Sequence, residues 1–193
     1  MSLDTLKQTT IGILAGGKGQ RLMGRDKGLM IINGQTQIER LLAQLAWPKP
    51  AVMIACRRNG WVYQHYASQI VCDTWSNQGP VGGIVALLNM CSTNYLAVIP
   101  CDQAFIPANW LDHMDRLDAM TSAGLYAVDE DHHTPMSLIS TRCYLQANDY
   151  YDRGGRSLLG LYQALGLTPL QCRGAGKDID DIASLNTLIE SPD

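Results

Sequence analysis

Two stretches of the chain carry residues whose types and spacing could do chemistry on a small phosphorylated molecule. The first is Gly16-Gly17-Lys18-Gly19-Gln20-Arg21-Leu22-Met23-Gly24-Arg25-Asp26-Lys27, in which four residues are glycine and four are cations. Glycines let the backbone turn tightly and bring its N–H groups against an anion. The interspersed Lys and Arg side chains supply the countercharge that phosphates need. The second is Pro100-Cys101-Asp102, where a carboxylate follows an apolar run. Mg²⁺ takes one or two carboxylates and completes its shell with phosphate oxygens and water, so an Asp facing a phosphate cradle complements it. An Asp at that place could equally cap a helix that begins near Pro107.

Two familiar loops are excluded. Nothing here reads GxxxxGK[ST], and Gly17-Lys18-Gly19 lacks the third glycine of the dinucleotide fingerprint. Further acidic and glycine-rich positions are secondary candidates. Asp73 precedes Gln78-Gly79-Pro80-Val81-Gly82-Gly83, whose glycines could line a ligand or simply open a helix. In Asp178-Ile179-Asp180-Asp181, alternation places Asp178 and Asp180 on one side of an extended segment, able to face a metal or to start a helix favourably. Gly154-Gly155-Arg156-Ser157 could hold an anion at a helix start, or Ser157 could cap that helix. Asp129-Glu130-Asp131-His132-His133 lies between two apolar runs and reads as a solvated hairpin turn rather than a metal cluster. The four tryptophans read as core or rim packing, with Trp61 and Trp75 close to the proposed site.

These residues need elements to position them, and the pattern supplies an alternation of buried strands and amphipathic helices. Thr10–Ala15, Ala51–Cys56, Tyr95–Ile99, Ala123–Val128 and Met136–Ser140 are short, apolar and rich in Val, Ile and Tyr, as strands buried on both faces are. Gln35–Ala46, Val81–Cys91, Pro107–Met120, Thr141–Asp152, Arg156–Leu165 and Asp181–Glu190 suit helices. The alternation predicts an α/β fold with a doubly wound, mostly parallel sheet and helices on both faces. Ligands bind such sheets beyond the carboxyl ends of the strands, which is where Gly16 and Asp102 fall.

Bulk properties narrow the class. The chain has 193 residues, and domains commonly run to roughly 100–200, so residues 1–193 are expected to form a single domain. With 46% hydrophobic and 17% charged residues the chain is built to fold. A net charge of −3 argues against broad binding of nucleic acid or an anionic membrane. Six scattered cysteines form no CxxC pair and read as buried small hydrophobes in a reducing compartment. The first ten residues lack the basic region and apolar run of a signal peptide, and no apolar run approaches a membrane span, so a cytoplasmic location is expected.

The string LAGGKGQRLMGRDKGL resembles the signature loop of the NTP-transferase family related to sugar-nucleotide pyrophosphorylases, written LAGGxxxRMGxxDKxL in its molybdenum cofactor guanylyltransferase branch. Pro100–Pro107 resembles that family's PCDxPxxP segment, the Asp73 to Gly83 stretch its D…GPLxG, and Asp178–Leu185 its NxNTPEDL element, with Asp for Asn and Ile182 for Pro. The resemblance implies a nucleotidyltransferase fold in which Leu14, Ala15, Gly16 and Gly17 pack along the nucleotide. It implies that Lys18 and Arg21 contact phosphates, that Lys27 reaches the α-phosphate, and that Asp73 and Gly79 line the nucleotide site. Mg²⁺ is expected on Asp102 with Asp180, and Arg21, Lys27 and Asp102 are the implied catalytic set. The implied reaction moves GMP from GTP to a molybdopterin-type acceptor, with cofactor-handling or molybdoenzyme-maturation proteins as further partners. One departure stands out: Ala55 occupies the place of the family's nucleotide-touching Asn, followed by Arg57 and Arg58. A cytidylyltransferase, another nucleotidyltransferase, or a nucleotide-binding homologue without turnover are the alternative readings.

Overall fold

The computed structural model describes residues 8–16, 26–45, 51–72, 79–108, 110 and 123–179. Its main sheet is built from β1 (Thr9–Ala15), β4 (Val52–Cys56), β5 (Gln69–Cys72), β6 (Tyr95–Pro100), β7 (Gly124–Asp129), β8 (His132–Ser140) and β9 (Thr168–Gln171). Their order is β5-β4-β1-β6-β8-β7-β9. Pairing is parallel throughout except around β8, which runs against both β6 and β7. The sheet is therefore mostly parallel, as the alternation predicts. A small hairpin, β2 (Ile31–Ile32) and β3 (Gln35–Thr36), stands apart.

Alternation along β1 explains the two-sided core. Ile11, Ile13 and Ala15 point to one face, where they meet Ile38 and Leu41 of helix α1 (Gln37–Gln44) and the buried Trp110. Gly12 and Leu14 point to the other. A Cβ on Gly12 would meet Leu96 and Leu87, so its missing side chain lets helix α3 (Gly79–Met90) lie close to the sheet. Helices α4 (Tyr144–Asp152) and α5 (Leu158–Leu165) cover the same face. Helices thus pack on both faces, and strands buried on both sides lose the polar alternation of a half-exposed sheet.

Several boundaries differ from the sequence pattern for local reasons. Gln35 was expected to begin a helix, but Asn33 and Gly34 take left-handed backbone (φ 51° and 83°) and turn β2 back into β3. Helix α1 then starts at Gln37 behind a capping box: Thr36 Oγ1 accepts from Glu39 N, and the Glu39 carboxylate accepts from Thr36 N. Thr141–Cys143 form a 3₁₀ turn ahead of α4, and Ser157 caps α5 so that it begins at Leu158. Strand β8 starts at His132, four residues earlier than expected, and β9 carries no apolar pattern by which to expect it. Helix Asp181–Glu190 and nearly all of Pro107–Met120 lie outside the described residues. No helix among the described residues is long and apolar enough to cross a membrane.

Candidate active site

The chain order fixes where a ligand can enter. From β1 the chain adds β4 and β5 on one side, then crosses by α3 to place β6 on β1's other side. The point where strand order reverses leaves a crevice beyond the carboxyl ends of β1 and β6. Leu14 pairs with Pro100, and Cys101 N donates to Leu14 O at 3.0 Å, so Gly16 and Asp102 emerge side by side into that crevice.

Lys27 and Asp102, 75 positions apart in sequence, meet there. Lys27 Nζ lies 2.8 Å from Asp102 Oδ2, with both side chains partly open to solvent at 17% and 24%. This brings together the two described members of the expected catalytic set. Arg21, Gly17, Lys18, Asp73 and Asp180 lie outside the described residues. Leu14 and Ala15 contribute backbone and shape rather than functional side chains, since Leu14 lies against Gly83 and Ala15 is buried in the core. Gly79 opens α3 with φ 67°, and the space a Cβ would fill is empty, so its backbone faces an open edge.

A second approach to Asp102 comes from the C-terminal side. Ile179 N donates to Asp102 O at 2.9 Å, Ala104 N donates to Lys177 O at 2.9 Å, and Asp178 pairs with Gln103 as an isolated bridge. The Asp178–Ile179 backbone therefore runs alongside Asp102. Polar side chains secure it: Gln37 Nε2 donates to Gln103 O at 2.7 Å, and Gln103 Nε2 donates to Phe105 O and Gly174 O. Asp129 completes the tie by accepting from Gly174 N and Gly176 N, both at 3.0 Å. Glu130 and Asp131 do form the turn of a hairpin, yet Asp129 beside them is a strut, a role the sequence pattern did not reveal.

Two neighbouring groups, the Cys101 thiol and the Tyr63 phenol, are held neutral. Cys101 is buried, and burial first, then the charges of Asp102 and Asp26, push its thiol well up from its ordinary value. Burial likewise pushes the Tyr63 phenol up, reinforced by Cys101 and by its bond to Asp26. Neither can serve as an ionised nucleophile near neutral pH. Among the described residues no three His, Cys, Asp or Glu side chains are grouped as a metal site. Mg²⁺ needs fewer, and the Asp102 carboxylate, partly open to solvent, fits an ion that takes most of its ligands from phosphate and water.

Three other candidates have defined places. Arg156 Nη1 donates to Tyr151 O and Gly155 O, with its guanidinium 4.1 Å above the Tyr151 ring, while Ser157 accepts from Gly160 N as a cap. Ala55 is 2% exposed and lies beneath Gly83, so its side chain cannot read a base. Arg57 and Arg58, which follow it, are exposed, as is Trp61. Sequence reasoning also missed Asp26, Asn59 and Tyr63: Asp26 Oδ2 accepts from Asn59 Nδ2 at 2.9 Å and Oδ1 from the Tyr63 hydroxyl.

Residues 11–166 match the MobA-like NTP transferase domain. The chain belongs to the MobA-like NTP transferase family. The chain is 31% identical over 160 residues to a molybdenum cofactor guanylyltransferase of Histophilus somni, covering 80% of this chain and 82% of that one. A molybdenum cofactor guanylyltransferase of Vibrio cholerae is 30% identical over 194 residues, covering 99% and 92%. Among solved structures, molybdopterin-guanine dinucleotide biosynthesis protein A from Archaeoglobus fulgidus superposes with a TM-score of 0.72 at 17% identity, covering 93% and 96%. Nucleotidyl transfer is the family-level activity.

Proposed function

We propose that this protein transfers GMP from GTP to the terminal phosphate of molybdenum-bearing molybdopterin, releasing pyrophosphate, with residues 1–193 acting as one domain in the cytoplasm. The observation that carries the reading is the Lys27–Asp102 pair at the carboxyl ends of β1 and β6. The guanylyltransferase names of the relatives support GTP as donor and molybdopterin as acceptor.

In the reaction an oxygen of the acceptor phosphate bonds to the α-phosphorus of GTP as the bond to the β-phosphate oxygen breaks, and pyrophosphate leaves with that electron pair. The attacking oxygen is already anionic, so the protein has to position two anions and neutralise charge rather than supply a nucleophile. Lys27 would meet an α-phosphate oxygen, a role suited to an ammonium that stands 2.8 Å from Asp102 on the Lys27–Leu29 turn. The backbone at Gly79 faces open space, and Gly16 carries no side chain to stand between its N–H and a phosphate. Mg²⁺, bound by Asp102 with Asp180, would supply charge neutralisation at the phosphates.

A second reading is favoured by one observation. Ala55, buried under Gly83, replaces the family's nucleotide-touching Asn, so guanine recognition through that position is lost. A cytidylyltransferase of the same fold, or a homologue that binds nucleotide without turnover, fits that loss. Pyrophosphate release from GTP and from CTP, each with Mg²⁺ and molybdenum-loaded molybdopterin, separates the three. Release selective for GTP and absent in Asp102→Ala supports the guanylyl reading, selectivity for CTP moves the enzyme to the cytidylyl branch, and binding without release identifies the inactive homologue.

A further inference from the structure

Asp26 stands immediately before Lys27, at the N-cap of the 3₁₀ turn Lys27–Leu29, with extended backbone (φ −80°, ψ 112°). An Asp there usually bonds the free N–H groups of its own turn. This one makes no such bond. Its carboxylate reaches instead across to the segment after β4, where Asn59 Nδ2 donates to Oδ2 at 2.9 Å and the Tyr63 hydroxyl donates to Oδ1 at 2.5 Å. Tyr63 belongs to the short helix α2 (Gly60–Tyr63) and is fully buried, and its raised phenol stays protonated and therefore stays a donor. Asn59 takes left-handed backbone (φ 57°), which Asn tolerates better than most residues, and its carbonyl accepts from Val62 N and Tyr63 N to start α2.

Gly28 closes the arrangement. A Cβ at that position would collide with the Tyr63 hydroxyl and lie 3.4 Å from Cys101 Cβ, so only glycine lets the Lys27 turn come down onto the phenol. The turn is further pinned by Leu29 N to Asp26 O at 3.1 Å, Met30 N to Lys27 O at 3.3 Å and Gln37 N to Met30 O at 2.8 Å.

We propose that Asp26 is a positioning residue through which Asn59 and Tyr63 hold Lys27 beside Asp102 in the orientation nucleotidyl transfer uses, an inference that rests on the function proposed above. A lysine carries its charge on a flexible stem, and a charge stabilises a transition state only when it is in place beforehand. Anchoring the residue next to Lys27 on a second strand end removes freedom at the base of that stem. The same strut joins the Lys27 turn to the segment carrying the exposed Arg57 and Arg58, so cations from two strand ends share one frame.

The test exchanges donor and acceptor across the strut. Asp26→Asn sets an amide N–H against one of its two donors, Asn59 Nδ2 or the Tyr63 hydroxyl, Asn59→Asp sets two carboxylates against each other, and the two together let that N–H face a carboxylate while the amide oxygen accepts from Tyr63. Tyr63→Phe removes only the hydroxyl and serves where an exchange variant folds poorly. Each single variant is expected to slow single-turnover pyrophosphate release about 10- to 100-fold while changing GTP affinity less than about threefold. The Asp26→Asn/Asn59→Asp protein is expected to recover most of the rate. In the same proteins, amide hydrogen exchange at Leu29 and Met30 should quicken about tenfold in each single variant and return in the double variant. Unchanged exchange in the single variants, or a rate loss that the double variant does not recover, overturns the strut. If wild type releases no pyrophosphate from any nucleoside triphosphate while exchange follows the expected pattern, the strut stands and the functional reading fails.

Discussion

Asp102 and Asp129 stand at the same edge of the sheet, one just past β6 and the other ending β7, and differ in what their carboxylates hold. Asp129 accepts from two backbone amides, Gly174 N and Gly176 N, which fixes the turn leading to Asp178. Among the described residues the Asp102 carboxylate is paired with a side chain, the Lys27 ammonium, at a partly open place. Backbone amides cannot leave without unfolding a turn, whereas the Lys27 ammonium, on a turn held in place, can exchange Asp102 for an arriving phosphate by rotation about its own side chain. A carboxylate paired with a movable cation is available for chemistry, and one satisfied by main chain is architecture.

That contrast is broken first by Asp102→Ala. Turnover is expected to fall on the order of a thousandfold, with the melting temperature moved by less than about 3 °C. Steady-state pyrophosphate release and thermal unfolding on one preparation check it, and near wild-type turnover would remove Asp102 from the site. Lys27→Ala is expected to cost about a hundredfold, more in kcat than in KM for GTP, because its charge matters most as pyrophosphate leaves. A rise in KM with kcat intact would make Lys27 a ground-state binder only.

Asp129→Ala should do the reverse. Losing two charge-assisted bonds to backbone amides is expected to lower stability by about 2 kcal/mol, read as a shift in the urea midpoint, with turnover reduced less than about tenfold. A loss of turnover as large as that of Asp102→Ala, at unchanged stability, would erase the distinction between the two carboxylates.

How much of this was legible in the sequence follows the range of the interactions. Strands β1, β4 and β6 and the approach of Lys27 to Asp102 could be expected, because apolar runs ending in a Gly-rich loop and in Pro-Cys-Asp are local signals. The reversed direction of β8 could not be, since a strand buried on both faces carries the same pattern whichever way it runs. Strand β9, Thr-Pro-Leu-Gln at an edge, has too little apolar alternation to be seen. The Asn33-Gly34 turn is readable, but the expected helix Gln35–Ala46 takes in the two-residue strand Gln35–Thr36 that the turn leads into. The bonds of Asp26 to Asn59 and Tyr63, and of Asp129 to Gly174 and Gly176, join side chains 33 to 47 positions from their partners, and only the fold reveals them.

The smallest expected effect tests whether the Asp102 charge is felt by its neighbour. Cys101 is buried beside it, and its thiol is raised by burial first and by Asp102 next. A group whose folded pKa is raised contributes stability that is fully present below its unfolded value, here near 9, and is lost as pH climbs toward the folded value. Between about pH 9 and 10 the unfolded chain releases a proton that the folded chain keeps, which steepens the loss of stability by at most about 1.4 kcal/mol per pH unit for one group. Cys101→Ala should therefore show a shallower decline of the urea midpoint over that range than wild type. Cys143 and Tyr162, raised without any part played by Cys101, contribute equally to both proteins and cancel in the difference, whereas Tyr63, raised in part by Cys101, loses part of its own contribution in Cys101→Ala and adds to the same trend. Asp102→Asn removes one raising charge and leaves the larger cause, the burial, so its decline should match that of wild type near pH 9 and end at a lower pH. Declines that end at the same pH would mean that the Lys27 ammonium offsets the Asp102 charge at Cys101.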